Sequence, residues 1–103
     1  MAKTTDDTER RRFYSNRLHW MQKILADPDM PERYKLVAIS VALRINPPHY
    51  VSFPEMETIA LDTAVSKSTV IRAVKYLEAA NWLYVHRETR KVNRYSLRMS
   101  NVL

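Results

Sequence analysis

The sequence contains no cysteine, so it can form neither disulfides nor cysteine-ligated zinc or iron–sulfur sites, and it has no thiol nucleophile. Glycine is also absent, whereas average usage would place about seven in a chain of this length. Without glycine the chain cannot form the Gly-rich loops that hold phosphates, nor the Gly-x-Ser-x-Gly turn of many hydrolases. These absences exclude most nucleotide-dependent enzymes.

Catalytic and metal-site patterns are missing as well. The histidines His19, His49 and His86 lack the spacing of a metal site, and no pair of carboxylates has a context that suggests acid–base chemistry. We therefore predict that the chain is not an enzyme and that it holds neither a metal nor a cofactor. The sequence indicates no effector pocket, so no small-molecule effector is expected.

Long apolar runs are absent too. The best apolar stretch, Leu36 to Leu43, ends at Arg44 and is far shorter than the roughly 18 residues of a membrane-spanning helix. The N-terminus is polar and has no apolar core of a secretory signal. We expect a cytoplasmic, nucleoid-associated protein with no membrane partner.

Positive charge is concentrated in one part of the chain. The net charge is +6. Residues 1–62 carry nine Lys or Arg and nine Asp or Glu, whereas residues 63–103 carry eight Lys or Arg and two Glu. A basic half joined to a neutral half is typical of a surface that binds a polyanion, although a basic solvated surface would give the same count.

Apolar periodicity predicts four helices, a short extended stretch over His49–Phe53, and a hairpin of two strands, Leu83–His86 and Tyr95–Met99. Residues 1–8 are expected to be disordered, and residues 9–103 to form a single domain. An apolar stripe of Tyr14, Leu18, Met21 and Leu25 marks the first helix, and Leu36, Ile39 and Leu43, with Val37 and Val41, are expected to face inward from the second. The predicted helices span Glu9–Ala26, Pro31 to about Ile45, Pro54 to about Asp62, and Lys67 to about Ala80.

Caps and alternation define the remaining elements. Ser66 is expected to cap the fourth helix, Ser52 or Phe53 to cap the third, and Asn81 to end the fourth in the left-handed conformation. After Trp82 the apolar period changes from 3.6 to 2, which predicts two strands around a basic loop. The predicted fold class is mainly α with a small β-hairpin, in the order helix, helix, short strand, helix, helix, strand, strand.

The segment from Glu57 to Leu77 carries the most informative pattern. Ala60 occupies the small-residue position of a first helix, Val65 a buried turn position, and Val70 and Val74 the core positions of a second helix. This pattern resembles the bacterial helix-turn-helix signature, and the following residues 77–83 resemble the passage into a wing. The resemblance covers roughly residues 20–99 and implies a winged helix-turn-helix fold. Ala64 departs from it, because that turn position usually holds glycine.

A helical wheel identifies the outward face of the fourth helix. With Val70 at the centre of the buried face, Ser68, Arg72 and Lys75 point the opposite way. In a major groove, arginine can pair with guanine, and hydroxyl groups can bond a base or a phosphate. The predicted recognition-helix contacts are Ser66, Lys67, Ser68, Thr69, Arg72 and Lys75.

Two further basic segments are candidates for backbone contacts. The wing could lie along the DNA backbone or enter the minor groove, and its candidate residues are Arg87, Arg90, Lys91, Asn93 and Arg94. Its charges could instead protect a hairpin edge from aggregation. A possible phosphate-contacting arm comprises Arg10, Arg11 and Arg12, although the neighbouring acidic residues favour an ordinary solvated helix face.

These features predict sequence-specific binding of double-stranded DNA by a bacterial or phage transcriptional regulator. A homodimer on a palindromic site is expected, with the N-terminal helix and its Phe13, Tyr14 and Trp20 as the expected contact. One alternative is the DNA-binding module of a phage or plasmid replication or partition protein. Another is a winged-helix interaction module that binds no DNA, which would expose an apolar patch in place of the cations. The aromatic residues that RNA-binding modules display on a sheet are not evident.

Overall fold

The computed structural model describes residues 2–103, with side-chain environments from residue 7 onward. Over that range the fold is mainly helical with one antiparallel hairpin, which confirms the predicted winged helix-turn-helix class. In residues 2–103, no helix combines the length and the apolar character that crossing a membrane requires. The elements are α1 (Ala2–Ala26), α2 (Glu32–Leu43), α3 (Met56–Thr63), α4 (Lys67–Ala79), β1 (Leu83–His86) and β2 (Arg94–Leu97).

Helix α1 begins earlier than the sequence suggested. It starts at Ala2, whereas the apolar stripe predicted a start at Glu9. The disorder of residues 1–8 stays a prediction. Residues 2–8 contain neither proline nor glycine, so nothing in them interrupts the backbone hydrogen bonds of a helix that packing has already fixed further on. Met1 lies outside the described residues.

The apolar stripe that identified α1 is not its buried face. Trp20 and Ile24 are fully buried, whereas Tyr14, Leu18 and Leu25 are exposed. Helix α1 has two apolar stripes on neighbouring faces, and only one of them can pack on the core. The indole of Trp20 determines which stripe is buried. Its Nε1 donates a hydrogen bond of 3.0 Å to the backbone oxygen of Trp82, which fixes this face inward. The expectation that Trp20 packs in the core is confirmed.

Helix α2 also turns a different face to the core than expected. Val37 and Val41 are buried as predicted, together with Ala38 and Ala42. Leu36 and Leu43 were expected inside, but they are 51% and 53% exposed. Because α2 packs against α1, α3 and α4, small and β-branched residues at its contacts let these helices approach closely. The larger leucines are left outside.

The helix-turn-helix unit follows the predicted pattern, with one difference in its caps. Ser66 caps α4 by accepting a hydrogen bond of 3.2 Å from the backbone N–H of Thr69. The buried face of α4 is the predicted one, formed by Val70, Ala73, Val74 and Leu77. Helix α3 is preceded by Glu55 rather than capped by Ser52 or Phe53, because Ser52 exchanges two backbone hydrogen bonds with Tyr95 instead.

Without glycine, ordinary residues occupy the left-handed turn positions. Ala64 has φ of 57° between α3 and α4, and Asn81 has φ of 65° after α4, as predicted for that residue. The backbone N–H of Trp82 then donates to the oxygen of Leu77 at 2.8 Å, and that of Asn81 to the oxygen of Glu78 at 3.1 Å, which closes a Schellman motif. Tyr50 and Arg90 also have positive φ.

The hairpin has one face on the core and one toward solvent. Leu83 pairs with Leu97 and Val85 with Tyr95, and these four side chains pack on the core. Tyr84 and His86, opposite Ser96 and Arg94, alternate to the other face. The predicted short strand at residues 49–53 is reduced to a single bridge between Ser52 and Tyr95, and β2 ends at Leu97, before Met99.

The turn at Ala64 predicts a stabilising substitution. The left-handed conformation destabilises a residue that has a Cβ by about 1–2 kcal/mol. Glycine avoids this strain, but it loses more conformational entropy on folding, which offsets part of the gain. We expect Ala64→Gly to raise the free energy of unfolding by about 0.5–1 kcal/mol in urea denaturation. The control is Ala79→Gly at an exposed helical position, which should lower it by a similar amount. Equal losses in both variants would contradict the account of this turn.

Candidate nucleic-acid interface

The N-terminus of α4 is built by a small hydroxyl cluster. The Ser66 Oγ lies 3.1 Å from the Ser68 Oγ and 2.9 Å from the Thr69 Oγ1. Ser66 and Ser68 are exposed, so the helix begins on the surface with its positive dipole end toward solvent. Such an end favours an anion such as a backbone phosphate.

Thr69 serves another role than the one expected of it. Its residue surface is only 4% exposed, so its hydroxyl is not presented outward as a contact. Instead the Thr69 Oγ1 accepts a hydrogen bond of 3.2 Å from the Arg72 Nη2. The helical wheel placed Thr69 at the flank of the outward face, where only tertiary packing decides exposure. Thr69 therefore orients Arg72, which is exposed together with Lys75.

Lys67 is paired with an acidic residue of the preceding helix. Its Nζ lies 2.6 Å from the Glu57 Oε1, and both side chains are exposed. The hydrogen bond from Lys67 holds the pKa of Glu57 below its ordinary value, and the same bond raises the pKa of Lys67. In the free protein this pair offsets one of the positive charges at the start of α4.

The wing also combines paired and unpaired cations. Arg87 contacts Glu78 at 2.9 Å and Lys91 contacts Glu88 at 3.0 Å. The Asn93 amide donates a hydrogen bond of 3.4 Å to the hydroxyl of Tyr95 and is half-buried. Arg90 and Arg94 are exposed, and neither takes part in the ion pairs found among the described side chains.

A cleft brings the wing and α4 together. It has a volume of about 350 Å³, and its lining includes Lys67 from α4 together with Lys91 and Asn93 from the wing. Glu55 and Glu57 line it as well. The structure thus unites residues that are distant in sequence, but it adds two carboxylates that sequence reasoning did not consider.

The basic segment of α1 divides into two parts. Arg10, Arg11 and Arg12 are exposed on the helix. Arg17, which follows the same cluster in sequence, instead donates hydrogen bonds of 2.9 Å to the backbone oxygen of Ile45 and 2.7 Å to the Asn46 Oδ1. Arg17 therefore joins α1 to the end of α2 and is not part of an arm.

A groove between α1 and α2 was missed from the sequence. Its volume is about 770 Å³, and its apolar lining is formed by Leu18, Met21, Leu25, Leu36, Ile39 and Leu43. The apolar pattern of the sequence assigns Leu36, Ile39 and Leu43 to the core. It therefore leaves no exposed apolar face on α2 that would indicate a groove. The absence of a small-molecule effector stays a prediction.

The Glu57–Lys67 pair predicts a titration behaviour. The pair is formed above the folded-state pKa of Glu57 and is lost as the pH falls through that lowered value. We expect Lys67→Met to raise the pKa of Glu57 toward its ordinary value, followed by NMR of the carboxyl carbon. Recovery should be incomplete because a backbone hydrogen bond also lowers this pKa. Lys75→Met is the control and should leave Glu57 unchanged, whereas no response to Lys67→Met would contradict the assigned cause.

Comparisons with known proteins agree with this geometry. The chain resembles the structure of BpsR from Bordetella bronchiseptica, a protein whose DNA binding is regulated by 6-hydroxynicotinic acid. The identity is 20% and the TM-score 0.51, over 84% of this chain and 59% of that chain, so the likeness concerns the fold. No curated protein sequence matches the chain. A family model described as a helix-turn-helix domain matches residues 30–83, more than half of the sequence, and the chain therefore belongs to the helix-turn-helix domain family.

Proposed function

We propose that this protein binds double-stranded DNA sequence-specifically as a transcriptional regulator. In this proposal α4 enters the major groove, and the wing at residues 87–94 lies on the backbone or in the minor groove. The observation that carries it is the outer face of α4, where Arg72 and Lys75 are exposed beside Ser68 on the second helix of a helix-turn-helix unit. The structural neighbour BpsR is itself a DNA-binding protein.

The dimensions of α4 suit this role. A helix of 13 residues is about 20 Å long, and a major groove about 12 Å wide admits an α-helix. The guanidinium of Arg72 can pair with the O6 and N7 atoms of guanine. Because Thr69 already holds one Nη of Arg72, the side chain loses less freedom on binding than an unrestrained arginine would.

The ion pairs of the interface set how binding depends on salt. Lys67, Arg87 and Lys91 each face a carboxylate in the free protein, so a phosphate must compete with that carboxylate. Arg90 and Arg94 face no such competition among the described ion pairs. We therefore propose that Arg90 and Arg94 supply more of the electrostatic affinity than the paired cations of the wing.

A salt titration tests the proposal as a whole. Fluorescence anisotropy of labelled mixed-sequence duplex DNA should show binding that weakens steeply as salt rises. That result would justify selecting a preferred site from a random library. No binding to any duplex at low salt would contradict DNA binding and direct the search to protein partners.

Two arginines separate sequence reading from electrostatic attraction. We expect Arg72→Ala to lose about 1–3 kcal/mol at the preferred site and to relax base preference there. Arg90→Ala should weaken binding to all sequences alike and reduce the salt slope by about one. Both are measured by anisotropy on the preferred and a scrambled duplex. If Arg72→Ala leaves affinity for the preferred site unchanged, the assignment of the reading face is wrong.

We also propose a homodimer, formed by a second copy seated on the groove between α1 and α2. Leu18, Leu25, Leu36 and Leu43 are each more than half exposed there, which is a large apolar surface for so small a protein. The rim of the groove carries both signs, with Lys35 and with Asp62, which is ion-paired to Arg44 in one copy, so a two-fold interface can place Lys35 of one copy beside Asp62 of the other. Trp20 cannot take part as expected, because it is fully buried.

The same groove leaves the proposed DNA surface free. Its lining residues come from α1, α2, the residue after α2 and the end of α3, so a second copy there would not cover α4 or the wing. Two copies could then contact the two halves of a palindromic site. An interaction module that binds no DNA would also use an apolar patch, but the exposed cations of α4 favour DNA.

Sedimentation equilibrium tests the dimer. Leu36→Lys places a charge in the groove and should shift the protein to monomer, because a buried unpaired ammonium is strongly unfavourable. Leu61→Lys is the matched control, since Leu61 is 84% exposed outside the groove lining, and it should leave the mass unchanged. A wild-type monomer at high protein concentration, or equal effects of both variants, would refute this interface.

A further inference from the structure

The solvent face of the hairpin carries aromatic side chains that the proposed function does not use, beside Arg94, which it does use. The register aligns Tyr84 with Ser96 and His86 with Arg94 on this face. The bridge from Ser52 to Tyr95 adds a third, short segment at the other edge of β2. Because side chains alternate along an extended chain, Val51 and Phe53 lie on the same solvent face as Arg94.

Two aromatic rings on this face are open to solvent. Phe53 is 63% exposed and Tyr84 is 55% exposed. They belong to the two outer segments, on either side of β2, and are offset by two residues along the strands. Strand spacing and rise then separate their Cα atoms by roughly 12 Å. The rings are therefore too far apart to stack on each other, and each can take its own planar partner, Tyr84 on the ring face that Arg98 does not cover. No local pattern indicates this arrangement, because Phe53 and Tyr84 are more than 30 residues apart in the chain.

Cations accompany both rings. The guanidinium of Arg98 lies 4.6 Å from the centroid of the Tyr84 ring. Phe53 and Val92 line a hollow of about 810 Å³, whose rim includes Arg44, Lys91 and Arg94. Arg44 and Lys91 are paired with Asp62 and Glu88, whereas Arg94 is exposed and takes part in no ion pair found among the described side chains.

Aromatic rings interleaved with cations fit the chemistry of an unpaired nucleic-acid strand. Each base presents a planar face that stacks on an aromatic side chain, and the adjoining phosphates are held by arginine or lysine. A duplex cannot use the rings in this way, because its bases are already stacked on one another. The hollow beside Phe53 is large enough for a base, since ligand sites of about 300–1,000 Å³ hold small molecules.

We propose that the solvent face of the wing sheet binds single-stranded DNA, with bases stacked on Phe53 and Tyr84 and the phosphates contacted by Arg94. This goes beyond the proposed function, because Phe53 and Tyr84 take no part in duplex binding there and only Arg94 belongs to both surfaces. A protein with both surfaces could hold a duplex through α4 and an unpaired strand beside it.

The experiment measures anisotropy of a labelled oligothymidylate of about 12 nucleotides, within the usual size of single-strand sites. Phe53→Ala and Tyr84→Ala should each weaken its binding at least about fivefold, the lower limit for loss of one stacked base. Tyr84→Phe should retain binding, because the ring is kept. Leu61→Ala is the matched control for truncating an exposed apolar side chain and should have no effect.

Further arms distinguish this site from the duplex surface. Arg72→Ala should impair duplex binding and leave oligothymidylate binding unchanged, while Phe53→Ala should do the reverse. Thermal unfolding checks that each variant remains folded, as expected for substitutions at exposed positions. The inference is overturned if the oligothymidylate does not bind at low salt, if an abasic oligomer of equal charge binds equally well, or if Phe53→Ala and Tyr84→Ala have no effect.

Discussion

The contact between Trp20 and Trp82 is the interaction on which the arrangement of this protein depends. The two indole rings meet edge to face, with centroids 5.9 Å apart, and the Trp20 Nε1 donates to the backbone oxygen of Trp82 at 3.0 Å. That same oxygen accepts the backbone N–H of Arg98 at 3.0 Å. One carbonyl thus ties α1 and the end of the hairpin to the residue that links α4 to β1. Removing the Trp20 ring would leave a large buried cavity, and the Trp82 carbonyl would keep only its hydrogen bond from Arg98.

Because Trp20 is buried, the face of α1 that points to solvent is determined. The neighbouring stripe of Leu18, Met21 and Leu25 must then lie along the outer side of the helix, beside the exposed leucines of α2. A chain of this size has few ways to bury every apolar residue, because its surface is large relative to its volume. The groove results from this limit. For the same reason the proposed dimer contact and the core use adjacent faces of α1.

Tyr95 has a comparable role for the wing. It is buried, its backbone exchanges two hydrogen bonds with Ser52, and burial raises the pKa of its hydroxyl above the ordinary value. These contacts attach the hairpin to the segment between α2 and α3 and so fix where Lys91 and Arg94 stand relative to α4. The solvent face with Phe53 exists only because this bridge adds a third segment to the two strands.

The sequence alone determined the fold class, the helix-turn-helix unit, the cap at Ser66, the left-handed Asn81 and the buried face of α4, because each follows from local spacing and local backbone chemistry. It also identified the cations of α4 and the wing, since charge is visible in any sequence. Only the tertiary structure decided that Thr69 supports Arg72, that Glu57 and Glu88 pair with predicted contact residues, and which apolar stripes of α1 and α2 face the core. The reason is that helical periodicity shows where the apolar stripes lie but not which of them is buried. Which stripe faces the core depends on partners such as Trp82 that are distant in the chain. The placement of Phe53 and Tyr84 on one sheet face is likewise set by long-range register, which no local pattern encodes.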